Sequence, residues 1–216
     1  MPPYNALNLA THVGDNPETV SWNRKHLSEL LKLPSAPLWL NQVHGNRIVC
    51  AETMDNNTAD GIYSETAGLV CAVMTADCVP VLLCNQAGTR VAAVHVGWKG
   101  FSANIIRNAI ELYSDNLSGL CVWIGPHIGK SHYEVGDDVW NSCLAADRSL
   151  GNAFSKNMHG RWQADLEWIV RHTFEMHGVS NIMSSARCTY AETDTFYSFR
   201  RDGQTGRMAS MIWIAR

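Results

Sequence analysis

The sequence predicts an α+β fold with mixed β-sheets in a single domain spanning residues 1–216. Three observations carry that reading. Leu69–Met74, Pro80–Cys84 and Arg90–Val96 are apolar runs of strand length, and Asn85-Gln86-Ala87-Gly88 is a tight turn joining the last two. Strands outnumber helices and do not alternate regularly with them, as a βαβ series would require. No repeat, low-complexity tract or linker divides the 216 residues, of which 46% are hydrophobic and 17% charged, enough for a sizeable core.

Taken in order, Asp15-Asn16-Pro17 signals a first helix, with a capping side chain followed by proline in the first turn. Its apolar stripe is Val20, Leu27, Leu30 and Leu31, and Leu33-Pro34 ends it. Leu38-Trp39-Leu40 and Arg47–Ala51 read as strands flanking the sharp segment Asn41–Asn46, and the Asn-rich stretch Glu52–Ala59 as a loop. The three apolar runs follow; their lack of polar alternation predicts burial on both faces. Ser102 is expected to cap a helix striped by Ile105, Ile106, Ala109, Ile110 and Tyr113. Leu120–Ile124 is a buried strand, Asp137–Ala146 and Asp165–His177 are helices, and Gly178 stops the second. Asn181–Cys188 and Arg207–Ala215 complete the strands, separated by the basic, turn-rich stretch Phe196–Gly206.

Composition excludes several function classes. A net charge of −3 gives no footprint for nucleic acid or an acidic membrane. No run of about 18 apolar residues exists, and the start MPPYNALNLATHVGD lacks a basic-then-apolar signal pattern, so a cytoplasmic protein, monomer or homodimer, is expected. Seven cysteines, an odd number without paired spacing, point to free thiols in a reducing compartment.

Three residues stand out against their apolar surroundings. Cys78 opens one strand of the hairpin, His95 closes the other, and His44 sits at the turn Gln42-Val43-His44-Gly45. Singly, each reads as a packed thiol or a hydrogen-bonded imidazole. Together, one thiolate and two imidazoles make a three-ligand set for Zn²⁺, with a fourth position left for water or substrate. Their separations, 34 and then 17 residues, match no zinc-finger spacing. A Cys with two His is also a copper set, but none of the nine histidines lies two residues from another, as a multicopper centre would need, so zinc is favoured over copper. A metal-free alternative keeps Cys78 as nucleophile and His95 as its base, in a cysteine hydrolase acting on an amide such as a cell-wall peptide. Further candidates are His127 as an acid or base in Gly125–Gly129, and Arg200, Arg201, Arg47, Lys99 and Arg207 as anion contacts.

Seven stretches carry a resemblance: NLATHVGDNPETVSWNR, PLWLNQVHG, AVMTADCVPVLLCN, VAAVHVGWKG, WIGPHIG, YEVG and CTYAETDTFYSFRRDGQTGRMASMIW. In this order, and over nearly the whole chain, they resemble the laccase-domain family, described both as polyphenol oxidases and as purine nucleoside phosphorylases. The resemblance implies a layered α/β/β/α fold, a zinc site at His44, Cys78 and His95, phosphorolysis of adenosine, inosine and methylthioadenosine, and deamination of adenosine. Copper-dependent phenol oxidation and editing of cell-wall precursors have also been linked to such proteins. The expected partners are therefore purine nucleosides and phosphate, with Arg47, His127, Arg200 and Arg201 as substrate contacts. Asp77, beside a ligand, is the expected proton carrier. Two departures are visible: Lys99 stands where an arginine is usual, and the chain starts at Met1-Pro2-Pro3-Tyr4, after a segment with a Thr-Arg-x-Gly-Gly-Val-Ser turn that family members carry. That segment is expected to be absent here.

Overall fold

The computed structural model describes residues 3–4 and 6–215, so Met1 and Pro2, on which the reading of the chain start falls, lie outside it. Its spine is a six-stranded mixed sheet. The strands are β1 (Ile48–Cys50), β2 (Gly61–Ser64), β4 (Val79–Asn85), β5 (Val91–Val96), β6 (Leu120–Ile124) and β10 (Asn181–Ser184), in the order β1-β2-β5-β4-β6-β10. The outer pairs are parallel and the three central pairings antiparallel. A two-stranded antiparallel sheet, β3 (Cys71–Thr75) with β11 (Met208–Ile212), lies on one face. A small three-stranded sheet of β7 (Glu134–Val135), β8 (Phe154–Lys156) and β9 (Trp162–Ala164) sits apart.

Side-chain parity explains the layering. Val79, Val81 and Leu83 of β4 and Ala92, Val94 and Val96 of β5 point to one face, where they bury against α2 (Trp98–Ser102), α3 (Ile105–Glu111) and α5 (Leu166–Met176) through Phe101, Ile105, Ile106, Ile169 and Phe174. Val91 and Ala93 point the other way and pack with Ile62, Cys71 and Val73 between the two sheets. On the far side of the two-stranded sheet, Met74, Ala209 and Met211 meet Leu27 of α1 (Pro17–Leu30). The result is α/β/β/α in section, an α+β fold with mixed sheets. Burying one side chain such as Ile62, fully enclosed between the sheets, is worth about 1.5–3 kcal/mol. Among the described residues no helix is long and apolar enough to cross a membrane.

The expected hairpin forms: Asn85 Oδ1 accepts from Thr89 and Arg90 backbone N–H groups, and Gly88 takes φ +67°. Asn16 caps α1 with Pro17 behind it. Three expectations are corrected. Leu38–Leu40 is no strand, because Leu38 bridges to β3 while Asn41 bridges to Thr58 before β2; the segment passes between sheets and pairs with neither for long. Leu30 and Leu31 are exposed, so the buried part of the α1 stripe is Val20 and Leu27. Ser102 ends α2 instead of capping a longer helix: Asn104 adopts φ +69°, an arrangement asparagine tolerates, and splits the region in two. α4 (Asp137–Ala146) and a short α6 (Phe199–Asp202) complete the helices used below.

Candidate metal and substrate site

β4 and β5 pair with Val79 opposite Val96, which places Cys78, just before β4, against His95 near the end of β5. His44 arrives on the Asn41–Arg47 loop, itself in the left-handed region at φ +59°. One buried residue fixes both histidines. The carboxylate of Asp60, fully enclosed, accepts backbone N–H bonds from Val43, His44 and Gly45 at 3.2, 2.9 and 2.7 Å. Its Oδ1 also lies 2.8 Å from His95 Nδ1, and its backbone carbonyl accepts from His95 N–H. The imidazole is thereby held with Nε2 facing Cys78. Gln42 clamps the same loop to β3, exchanging two 2.8 Å hydrogen bonds with the Met74 backbone.

The three ligand atoms lie within 4.8 Å of one another, with Cys78 Sγ 3.9 Å from His44 Nε2. Bonds of roughly 2.0–2.3 Å in a tetrahedral site would bring such atoms to within about 3.3–3.7 Å, a contraction of about 1.5 Å at most. The donor set therefore fits a metal ion. Burial is graded: His95 is 3% exposed, Cys78 half-buried and His44 exposed, so the set is open on the His44 side. Gly97 makes room for it, since a Cβ there would sit 2.9 Å from His44 Cδ2 and 3.2 Å from Cys78 Sγ.

Electrostatics agree with the geometry. Burial alone would push the Cys78 thiol up, but the charge of His95 and the hydrogen bond to His44 bring it below its ordinary range. Burial likewise opposes charge on His95, yet Cys78 and Asp60 hold the imidazole above its usual value. Asp60 is kept ionised against its own burial by His95 and Gly45. A thiolate and a proton-holding imidazole thus face each other, with a second imidazole, that of His44, beside them.

The trio borders a cavity of about 210 Å³ that is also lined by His12, Gln42, Met74, Thr75, Ala76, Phe199 and Arg207. Of the residues expected from sequence, His44, Cys78, His95 and Arg207 meet here and the others do not line it. Asp77, at φ +97°, directs its carboxylate to Thr189 Oγ1 and the Arg200 N–H, both at 2.6 Å, so its oxygens serve to anchor those segments instead of facing the cavity. Arg200 donates to the Glu134 carbonyl and lies 5.1 Å over Tyr133. Arg201 is consumed by the carbonyls of Thr189, Tyr190 and Phe196 and by Asp202. Arg47 bonds the Thr58 carbonyl and faces Asp55 at 3.7 Å. His127 is buried, its Nδ1 2.8 Å from the Gly125 carbonyl. Lys99 is exposed over Trp98.

Sequence reasoning missed Asp60, His12 and Phe199. Asp60 left a signal, a single carboxylate between Ala59 and the strand Gly61–Ser64. Phe199 left none beyond its place in FYSFRRDG.

With this geometry described, the chain's relatives can be set beside it. A purine nucleoside phosphorylase, YfiH, of Escherichia coli strain K12 is 46% identical over 217 residues, covering 99% of this chain and 88% of the relative. A Pseudomonas aeruginosa purine nucleoside phosphorylase is 39% identical over 98% of this chain and 87% of its own. The crystal structure of a Neisseria meningitidis protein superposes with a TM-score of 0.93 at 40% identity, covering 99% of this chain and 88% of that one. Residues 1–215 match the family described as multi-copper polyphenol oxidoreductase laccase, and the chain belongs to that family.

Proposed function

We propose that this protein is a zinc-dependent purine nucleoside enzyme that phosphorolyses adenosine, inosine and methylthioadenosine to free base and ribose 1-phosphate and also deaminates adenosine. The observation that carries the reading is an open His44–Cys78–His95 set facing a cavity that holds a cation, Arg207, and an exposed aromatic face, Phe199. Relatives that cover nearly all of this chain bear the name purine nucleoside phosphorylase, which supports the substrate class.

Zinc suits the set better than copper because the residues form one three-ligand cluster with a borderline-soft thiolate and no His-x-His doublet elsewhere in the sequence. Bound there, the metal would supply Lewis acidity at the open position. The chain's own residues do the rest. Asp60 fixes the His95 tautomer and the His44 loop, so the ligands are positioned before anything binds. Phe199, 58% exposed at the rim, offers a flat face for a purine ring. The reading is tested by incubating metal-analysed protein with inosine, with and without phosphate, and following hypoxanthine and ribose 1-phosphate. Phosphate-dependent base release is expected; none from folded, zinc-loaded protein would overturn phosphorolysis. Hypoxanthine release with copper but not with zinc would overturn the metal.

The charge pairing of Cys78 with His95 favours one second reading, a metal-independent cysteine hydrolase. It requires amide hydrolysis that alkylation of Cys78 abolishes and chelation leaves intact.

A further inference from the structure

Two stretches far apart in sequence, the His12 loop and the segment entering β11, are locked together at the cavity rim by buried polar side chains. Asn8 is fully enclosed, and its Oδ1 accepts from both Ala10 N–H at 3.0 Å and Arg207 N–H at 2.9 Å. Its Nδ2 donates to the Ala10 carbonyl and to Asp15 Oδ2. Asn23, also buried, holds the Asn8 carbonyl at 2.8 Å, and Arg24 Nε holds the Leu9 carbonyl at 2.8 Å while its guanidinium lies 4.3 Å over Trp39. Burying this many polar groups is costly unless every one is satisfied. Here the outcome is to fix His12 beside Arg207.

Arg207 differs from its neighbours in where its head group lies: Arg200 is exposed, gives one N–H to the Glu134 carbonyl and does not line the cavity, whereas Arg207 is half-buried against it. Nη1 donates to the Thr205 and Gly206 carbonyls at 2.8 and 2.9 Å, while among the described residues Nε and Nη2 have no acceptor and no carboxylate forms an ion pair with it. Phe199 lies 5.7 Å from the guanidinium on one side and the cavity on the other. A half-buried guanidinium without a counter-ion, lining a cavity with an imidazole beside it, lacks an anion. Its burial penalty is felt as a lowered affinity for its proton, opposed by Cys78 and Asp77, and His12 is in turn depressed by burial and by the charges of Arg207 and Arg24.

We propose that Arg207 and His12 form an anion subsite that takes inorganic phosphate next to the His44–Cys78–His95 set, with Phe199 walling it on the outer side. The guanidinium offers two parallel N–H groups from Nε and Nη2 to phosphate oxygens, and His12 adds a third contact from the rim. The site rests on the phosphorolysis reading for its role but not for its existence. Phosphate arriving here stands beside the metal set with the rest of the cavity left for a nucleoside. The same chemistry would accept the phosphoryl group of a nucleotide, so the test separates the two.

The experiment is calorimetric titration of the metal-loaded full chain with inorganic phosphate and, separately, with adenosine 5′-monophosphate, no nucleoside being present. Phosphate is expected to bind, Arg207→Gln to weaken it about tenfold or more, Arg207→Lys to restore part of that loss, and His12→Gln to weaken it about threefold. Arg200→Gln, at a residue that reaches the Glu134 carbonyl and does not line the cavity, is expected to leave phosphate affinity within twofold. Steady-state kinetics should show the KM for phosphate rising with Arg207→Gln while the KM for inosine stays within twofold. Unchanged phosphate affinity in both Arg207 variants, or a larger loss from Arg200→Gln than from Arg207→Gln, overturns the subsite. Nucleotide binding tenfold tighter than phosphate overturns the assignment to free phosphate. Far-UV circular dichroism checks folding, and if Arg207→Gln does not fold, the Arg207→Lys and His12→Gln titrations decide. Arg207-dependent phosphate binding without base release would sink phosphorolysis and leave the subsite standing; base release with phosphate affinity indifferent to Arg207 would do the reverse.

Discussion

The corner that holds His44, Cys78 and His95 and the segment from Phe199 to Arg207 are equally rich in groups able to bind ligands, and they spend those groups differently. In the corner, the supporting hydrogen bonds come from behind: Asp60 takes His95 Nδ1 and the backbone of the His44 loop, leaving His44 Nε2, His95 Nε2 and Cys78 Sγ converging. In the arginine segment, Arg201 gives its N–H groups to three carbonyls and a carboxylate, and Arg200 reaches the Glu134 carbonyl. Among the described arginines of this segment, Arg207 is the one that lines the cavity, with Nε and Nη2 unspent. Residue type marks both regions as candidates. What separates a binding group from a structural one is whether its hydrogen-bonding capacity is already used.

The sharpest way to break that comparison is to remove a ligand. His44→Ala, Cys78→Ala or His95→Ala should each abolish stoichiometric metal, read by elemental analysis after dialysis; full metal retained in all three would refute the site. Next comes the support. Asp60→Asn should lower metal affinity about 10- to 100-fold in chelator competition. Asp60→Ala should destabilise the fold by about 3–5 kcal/mol in urea unfolding, because it strips the buried His95 imidazole and three backbone N–H groups of their partner. Arg201→Gln should cost about 1.5–3 kcal/mol of stability and leave the phosphate KM unchanged, the mirror image of Arg207→Gln.

The smallest effect is a pH dependence away from both regions. Glu52 is held at about 2 in the folded chain: partial burial pushes it up, but hydrogen bonds from Cys50, Ser64 and the Glu65 backbone pull it down further. A depressed carboxylate stabilises the fold above its ordinary value near 4.5 and loses that contribution as pH falls toward 2. The urea midpoint of Glu52→Gln should therefore lie below that of the parent at pH 7, and the gap should close between pH 4.5 and 2. Since Glu52 is largely exposed, the difference at neutral pH should stay under about 1 kcal/mol. A gap that persists at pH 2 would show that the effect is steric.

Much of the hairpin and the trio was legible because chemistry and periodicity coincide there. A thiol and an imidazole at the ends of two apolar runs joined by a four-residue turn must come together if the turn is tight, and they do. Asp60 was not legible, since a carboxylate before a strand looks like a loop residue until the His44 loop folds over it. Which of the candidate arginines lines the cavity was not legible for a related reason: Arg200, Arg201 and Arg207 share one segment, and only the tertiary positions of Thr189, Glu134 and Asn8 decide where each one lies. The β7–β9–β8 sheet was invisible because strands of two and three residues have no readable period. The break at Asn104 turned on one residue adopting a left-handed conformation within an apolar stripe.

One consequence concerns the turn Asn85–Gly88, which lies at the opposite end of the hairpin from the metal ligands, roughly 20 Å away along β4. Cys78 meets His95 only while the two strands keep their present alignment, and that alignment is set where the chain reverses. A slip of one residue between the two strands would turn Cys78 away from His95. The turn thus acts as a ruler for the site, although it lies at the far end of the hairpin from the ligands.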